Sequence, residues 1–280
     1  MIPNKELSII CALTGAKPDQ ITRTDDGFLS RAYLIDNGRI VFKFKKEENA
    51  DYRIEEKMLN FIGTLDIPVK VQKVGWTSPD LSYIGLYGVI GQSLENLKLS
   101  YTEKIHIGTQ LGDFLKVLHQ ASWDQAQPYP VSSEIGTWQK RYRYSIPVLQ
   151  KYFSPSEMKK IDDLMMEEMP SQLTLLGETP VLSHGDLGGG NIMVDEAGNV
   201  GVIDFSEMLY LDEAADFMDT RDEDICRAML DAYGAGGNLR RKVFIRRLIR
   251  PVFVIGTYAF DERKKETDLL AEQIRKTILS

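Results

Sequence analysis

The chain has 280 residues, of which 43% are hydrophobic and 27% charged, and 41 acidic against 34 basic side chains leave a net charge of −7. That balance argues against nonspecific nucleic-acid binding and is compatible with a cationic substrate. Two cysteines, Cys11 and Cys226, are too few for a disulfide framework, and the longest apolar run, residues 251–260, is too short to cross a bilayer and is broken by Gly256 and Thr257. Lys5 and Glu6 ahead of a brief apolar stretch give no signal-peptide layout. The expectation is a cytoplasmic monomer with reduced thiols, without membrane or nucleic-acid partners, and large enough to bury a sizeable core in two lobes.

Residues 4–13 suit a short helix. Three strands are expected at about 21–27, 31–36 and 39–45, with turns at Asp26-Gly27 and Asn37-Gly38. Alternation in the third strand puts Val41, Lys43 and Lys45 on one face and Ile40, Phe42 and Phe44 on the other. Lys43 is then either a phosphate ligand or a lysine snorkelling from a strand. The next helix, about 49–62, carries Ile54, Met58, Phe61 and Ile62 at helical spacing, with Glu55 on the edge of that stripe. A carboxylate beside buried apolar groups is costly unless paired, and Lys43 is the obvious partner.

Two more strands, about 70–77 and 82–89, lead into Ile90-Gly91-Gln92-Ser93-Leu94, after which the text reads as helical to the end apart from one hairpin. Helices are expected at 101–120 and 138–152, and from a capping box at Ser154 and Glu157 to about Met169. The methionines of that last helix are most simply core. Acidic residues crowd the segment 204–224, and the sign then flips to Arg240, Arg241, Lys242, Arg246, Arg247 and Arg250. The expected form of this basic run is an amphipathic helix with a charged outer face, a nucleic-acid patch being the minority alternative.

The decisive stretch is residues 181–207, VLSHGDLGGGNIMVDEAGNVGVIDFSE. Two short apolar runs, 192–194 and 200–203, flank a turn at 195–199 and predict a hairpin. Antiparallel pairing about that turn sets Asn191 opposite the Ile203/Asp204 end, so an amide oxygen and a carboxylate meet. Hard oxygens in that arrangement suit Mg²⁺, which is usually held by few protein groups together with substrate phosphates. Asp186 stands five residues before Asn191 on a loop rich in glycine. A base, an amide ligand and a carboxylate ligand in this order are what phosphoryl transfer from a nucleotide requires.

HGDLGGGN followed by IDF resembles the catalytic and metal segments of the aminoglycoside phosphotransferase and choline kinase group, relatives of the protein kinases. The resemblance implies an α+β, bilobal protein-kinase-like fold. Residues 1–90 would form a nucleotide-binding lobe with a five-stranded antiparallel sheet and a helix, residues 91–280 a mostly helical lobe carrying the catalytic hairpin, and residues 86–94 the hinge. It makes Asp186 the base, Asn191 and Asp204 the Mg²⁺ ligands, and Lys43, fixed by Glu55, the grip on the phosphates of ATP or GTP. Backbone amides of Phe28 to Ser30 would meet the phosphates, Leu86 would border the base pocket, and Tyr87 to Val89 would offer hinge hydrogen bonds. His184 would support the loop, Asp216 would hold it, and His119 would be structural.

The acidic segment is similar to the corresponding stretch of aminoglycoside 2″-phosphotransferases, which implies that Glu207, Asp222, Glu223 and Asp224 bind a polycationic amino sugar. Asp222 to Asp224 read equally well as a helix N-terminus, which favours acids through the helix dipole. The alternatives in function are a kinase of another small alcohol, such as choline or a sugar, and a nucleotide-binding regulator without catalysis.

Overall fold

The computed structural model describes residues 5–24, 30–46 and 52–279. The Asp26-Gly27 turn, Phe28 and the start of the 49–62 helix lie outside the described residues. In chain order the elements are α1 (Lys5–Thr14), β1 (Ile21–Thr24), β2 (Ser30–Ile35), β3 (Ile40–Lys45), α2 (Tyr52–Ile62), β4 (Lys70–Val71), β5 (Lys73–Thr77), β6 (Tyr83–Tyr87) and β7 (Gln92–Ser93). There follow α3 (Tyr101–Gln120), α4 (Val131–Leu149), α5 (Pro155–Asp163), α6 (Met169–Leu176), β8 (Pro180–Ser183), β9 (Ile192–Val194), β10 (Val200–Val202) and β11 (Leu209–Asp212), then α7 (Glu223–Tyr233), α8 (Gly237–Phe260) and α9 (Lys264–Thr277). The chain packs as two units: Met1–Leu118 with Asp186–Met208 and Asp222–Ala232, and His119–Gly185 with Leu209–Arg221 and Tyr233–Ser280.

In the first unit a five-stranded sheet runs in the order β1-β2-β3-β6-β5, antiparallel throughout. The β2–β3 turn needs three residues of positive φ, supplied by Asp36, Asn37 and Gly38 at 51°, 52° and 86°. Phe42 and Phe44 are buried with Tyr33, Ile35 and Ile10 of α1, on one face of the strand. The alternate residue Lys43 therefore faces the other way, toward α2.

Helix α2 buries Tyr52, Glu55, Met58, Leu59 and Ile62. Ile54, expected inside, is 50% exposed, because the buried stripe is phased on Tyr52 and Glu55 rather than on residue 54. The strand expected at 70–77 is broken at Gln72. Its first two residues leave the large sheet to pair in parallel with Gly201 and Val202 of β10. The β9–β10 hairpin forms as the sequence predicts, with Val194 opposite Val200 and Ile192 opposite Val202. Its turn is fixed by Asp195, whose Oδ1 accepts the Ala197 and Asn199 backbone N–H groups at 3.0 and 2.9 Å.

The second unit is mostly helical, but β8 pairs antiparallel with β11, so the region past Leu94 is not helical apart from a single hairpin. Helix α4 begins at Val131 rather than 138. Ser154 and Glu157 form the expected capping box at the start of α5. The helix does not continue regularly to Met169: a π turn over Leu164–Glu168 intervenes before α6, where Pro170 has no N–H for an ordinary i to i−4 bond. Helices α4 and α8 close tightly, since a Cβ on Gly256 would stand 2.6 Å from Ser145 Oγ. Trp138 stacks on Phe253 with centroids 6.0 Å apart.

The basic run on α8 departs from its expected form. Lys242 and Arg246 are buried, not on a charged outer face. Arg246 makes a two-pronged pair with Glu134 at 2.8 and 3.0 Å and reaches Asp212 at 3.1 Å, while Lys242 meets Asp212 at 2.8 Å. The Arg246 guanidinium lies 5.0 Å over the Trp138 ring. Among the described residues no helix is long and apolar enough to cross a membrane.

Candidate active site

Every residue of the candidate catalytic and metal set lies in the first unit. Lys43 sits on β3, opposite Ala32 of β2 and Ile84 of β6, which fixes its backbone on both sides. Its Nζ meets Glu55 Oε1 at 2.6 Å and Asp204 Oδ1 at 3.2 Å. Burial by itself would depress this lysine, but the Glu55 and Asp204 carboxylates outweigh it and hold the ammonium above the ordinary lysine range. The pairing read from strand alternation and helix phase is therefore present, and Asp204 joins it.

Asp204 stands two residues past the end of β10 and adopts left-handed φ and ψ of 62° and 69°. That conformation is uncommon for a residue with a Cβ and turns the chain sharply at the strand end. Its backbone N–H donates to Gln72 Oε1 at 3.2 Å, and Ser206 Oγ donates to its Oδ1 at 3.0 Å. Gln72 is a site residue that sequence reasoning missed. It is buried at the point where β4 gives way to β5, so the strand break and the support of Asp204 have one cause.

The hairpin places Asn191 as expected: the Ile203 N–H donates to the Asn191 carbonyl at 3.0 Å, extending the ladder one step past Ile192 and Val202. The Asn191 side-chain Nδ2 donates to Asp186 Oδ2 and to the Asp186 carbonyl, each at 2.9 Å. With its NH₂ turned to Asp186, Asn191 has its amide oxygen as the atom for a hard cation. The Asp204 side chain is 42% exposed and thus reachable from solvent. Among the described residues no group of three or more His, Cys, Asp or Glu could enclose a metal. One amide oxygen and one reachable carboxylate fit an ion that completes its shell with phosphate and water rather than one held in a protein cage.

The chain entering Asp186 is held in the second unit. Asp216 is buried and accepts the His184 and Gly185 N–H groups at 2.9 and 3.0 Å, and its Oδ2 lies 3.0 Å from His119 Nε2. Burial would raise this carboxyl, but the His119 hydrogen bond and charge, with the backbone donors, hold it below the usual range. His119 Nδ1 lies 3.0 Å from Tyr233 Oη. Burial pushes the Tyr233 hydroxyl up to about 12, so the phenol remains protonated at neutral pH.

Around the proposed nucleotide, Ser30 begins β2 and its Oγ lies 2.7 Å from Tyr52 Oη. Burial pushes Tyr52 up to about 12. Leu86 is buried and opposite Val41. Tyr87 is half exposed and its ring lies 5.2 Å from that of Trp76. The Gly88 N–H is already spent on the Arg39 carbonyl at 2.8 Å. A Cβ on Gly88 would come 1.9 Å from the Gly38 carbonyl oxygen, so only glycine fits there.

The acidic candidates are divided. Glu207 is exposed, three residues after Asp204. Asp222 accepts the Asp224 and Ile225 N–H groups at 3.0 and 3.2 Å at the start of α7, and it pairs with Lys104 of α3 at 2.7 Å. Burial opposes the shift, but Lys104 and these backbone donors hold its carboxyl below the usual range. Asp224 pairs with Arg227 at 2.5 Å, and Glu223 is exposed in the first turn of α7. Asp222 thus does the work of a helix cap, the alternative that its sequence position left open.

Residues 20–246 match the family profile described as APH, phosphotransferase enzyme family. The chain belongs to this phosphotransferase family. Its fold is kinase-like and is similar to that of the GDP complex of wild-type aminoglycoside 2′-phosphotransferase-IIIa, at 17% identity over 100% of this chain and 99% of that one, with a TM-score of 0.74. It is also similar to the gentamicin complex of APH(2″)-IIa, at 18% identity over 99% and 97% of the two chains and a TM-score of 0.69. The apoenzyme of macrolide 2′-phosphotransferase MphH from Brachybacterium faecium matches at 16% identity over 97% and 98%, with a TM-score of 0.63. No curated protein matches the sequence.

Proposed function

We propose that this phosphotransferase moves the γ-phosphoryl group of ATP or GTP to a hydroxyl of a cationic amino sugar. The observation that carries the reading is Lys43 bridging Glu55 and Asp204, with Asp204 tied through the β9–β10 ladder to Asn191 and from there to Asp186. Lys43 grips the phosphates that are not transferred, and Glu55 fixes its direction. Asn191 and Asp204 would hold Mg²⁺, which would supply positive charge to the phosphates. Asp186 receives the acceptor's hydroxyl proton as that oxygen bonds to phosphorus and the bond to the β-phosphate oxygen breaks, releasing a nucleoside diphosphate.

Residues 86–94 serve as the hinge between a lobe of residues 1–90 and one of 91–280, with Leu86 against the base and the Val89 backbone toward its edge. The Ser30 end of β2 lies over the phosphates. Glu207 and Glu223 are the acids offered to the acceptor, and Asp222 stands beside them through α7. A single chain in the cytoplasm, where nucleoside triphosphates are supplied, is the setting of this reading. The acceptor class is supported by the net charge of −7 and by similarity to proteins named for aminoglycoside and macrolide phosphotransfer.

Incubation with γ-labelled ATP or GTP, Mg²⁺ and a panel of aminoglycosides, macrolides, choline and neutral sugars tests the proposal. Label should move to an aminoglycoside. Transfer only to choline or a neutral sugar would favour the second reading, a kinase of another small alcohol, and tight nucleotide binding without transfer would favour a regulator.

A further inference from the structure

The loop from Asp186 to Asn191 carries three successive glycines, Gly188, Gly189 and Gly190, and its remaining residue, Leu187, is buried, so it supplies no exposed side chain of its own between base and metal ligand. One arrives from elsewhere in the first unit. After β7 the chain makes a short 3-10 turn over Leu94–Asn96, and the Ser93 hydroxyl donates to the Gly189 carbonyl at 2.9 Å. This bond seats the turn on the loop: a Cβ on Gly189 would stand 3.2 Å from Glu95 Cβ and 3.3 Å from its backbone nitrogen. The Glu95 carboxylate then lies along Gly190, its two oxygens 3.7 and 3.8 Å from where a Cβ would be. Glu95 thus occupies the side-chain space that the glycines leave empty, next to Asn191, which in turn holds Asp186.

Glu95 is exposed, and among the described residues it makes no hydrogen bond or ion pair. A carboxylate beside a polyphosphate site repels the nucleotide unless a cation comes between them. A ribose hydroxyl leaves that repulsion in place, whereas an ammonium group removes it.

Resting on the reading in the preceding subsection, we propose that Glu95 is a specificity-determining residue whose carboxylate receives an ammonium group of the acceptor and so orients the acceptor's hydroxyl toward Asp186. Acceptors with an amine a few bonds from the reacting hydroxyl are favoured over neutral sugars.

The test compares wild type, Glu95→Gln and Glu95→Lys by steady-state kinetics with kanamycin as acceptor, and for each protein also determines the KM of the nucleotide. Because the side chain is exposed, both variants should fold. The acceptor KM should rise about fivefold in Glu95→Gln, the upper range for one exposed charge pair, and further in Glu95→Lys. The dependence of acceptor kcat/KM on ionic strength should become shallower in Glu95→Gln. An unchanged acceptor KM in both variants overturns the proposal. So does a rise confined to the nucleotide KM, which would assign the carboxylate to the ribose. If wild type transfers phosphate to no aminoglycoside, the functional reading fails and this inference with it; transfer by wild type with indifferent Glu95 variants removes this inference alone.

Discussion

Each unit of the molecule contains a cluster of acids and bases, and the two differ in what surrounds them. In the first, Lys43 meets Glu55 and Asp204, and the Asp204 side chain is 42% exposed. In the second, Arg246 and Lys242 meet Glu134 and Asp212, and none of the four side chains is more than 7% exposed. The first cluster has an open end through which, in the proposed reaction, Lys43 and Asp204 would exchange each other for phosphate and metal. The second is closed, with the Arg246 guanidinium against Trp138 and no route to a new partner. The same pairing chemistry yields an open candidate site in one case and a fastener between α4, β11 and α8 in the other, and solvent access makes the difference.

Arg246→Met should break the closed cluster with the largest loss of stability. It strands Glu134 in the core and leaves Asp212 paired with Lys242, and removing one partner of such a network costs about 3–5 kcal/mol. Chemical denaturation would show it as a lower midpoint at unchanged slope. A loss near zero would mean that the cluster is hydrated and does not fasten the unit. Burial already pushes the Glu134 carboxyl up despite its Arg246 partner, so loss of that partner should push it up further.

Lys43→Met applies the same operation to the open cluster. Transfer should fall roughly 100-fold, the scale of losing one fixed donor to a developing charge, while the denaturation midpoint moves less than in Arg246→Met. Equal midpoint losses would erase the distinction between the clusters. The Lys43 ammonium is held above the ordinary lysine range, so it stays charged below pH 10.5 and adds no alkaline limb to the rate profile under that pH.

Acid sharpens the comparison with a smaller effect. Asp212 and Asp216 both have carboxyls held below the ordinary aspartate range despite their burial, Asp212 by Arg246 and Lys242 and Asp216 by His119 and backbone donors. Their contribution to stability is complete above the unfolded value and is lost as pH falls through the lower folded one. Thermal midpoints recorded from pH 7 downward should hold until about pH 4 and then decline, whereas a decline beginning near pH 6 would point to histidine instead. Tyr233→Phe is the mildest change, removing one hydrogen bond to His119 at about 1 kcal/mol; a thermal midpoint identical to that of wild type would show that the bond adds nothing.

These contrasts also explain what was legible in the chain. The β9–β10 hairpin and the Lys43 and Glu55 pair were readable because each rests on local periodicity: two apolar runs about DEAGN, strand alternation, and a helical stripe. Gln72 was not: the alternation of Lys70-Val71-Gln72-Lys73-Val74 slips at Gln72-Lys73, but the break comes from pairing with β10, about 130 residues away in sequence, which no local pattern shows. The fate of α8 was half visible. Leu239, Lys242, Val243, Arg246, Ile249 and Phe253 recur at three- and four-residue spacing, so the two bases lay in the buried stripe. Their acidic partners, Glu134 and Asp212, stand on other elements, and only tertiary packing joins them. Asp222 shows the opposite case, a residue whose acidic neighbours suggested substrate but whose backbone contacts make it a cap.

The most direct test of the central claim is Asp186→Asn, which keeps the shape of the side chain and removes its capacity to take a proton. With saturating Mg²⁺-nucleotide and the acceptor that wild type uses best, kcat should fall by roughly 10² to 10⁴, while the nucleotide Kd stays within about twofold because the bonds of Lys43 and Asp204 are untouched. Retention of the wild-type kcat would contradict the assignment of Asp186 as the base and, with it, the account of residues 186–204 as a phosphoryl-transfer centre.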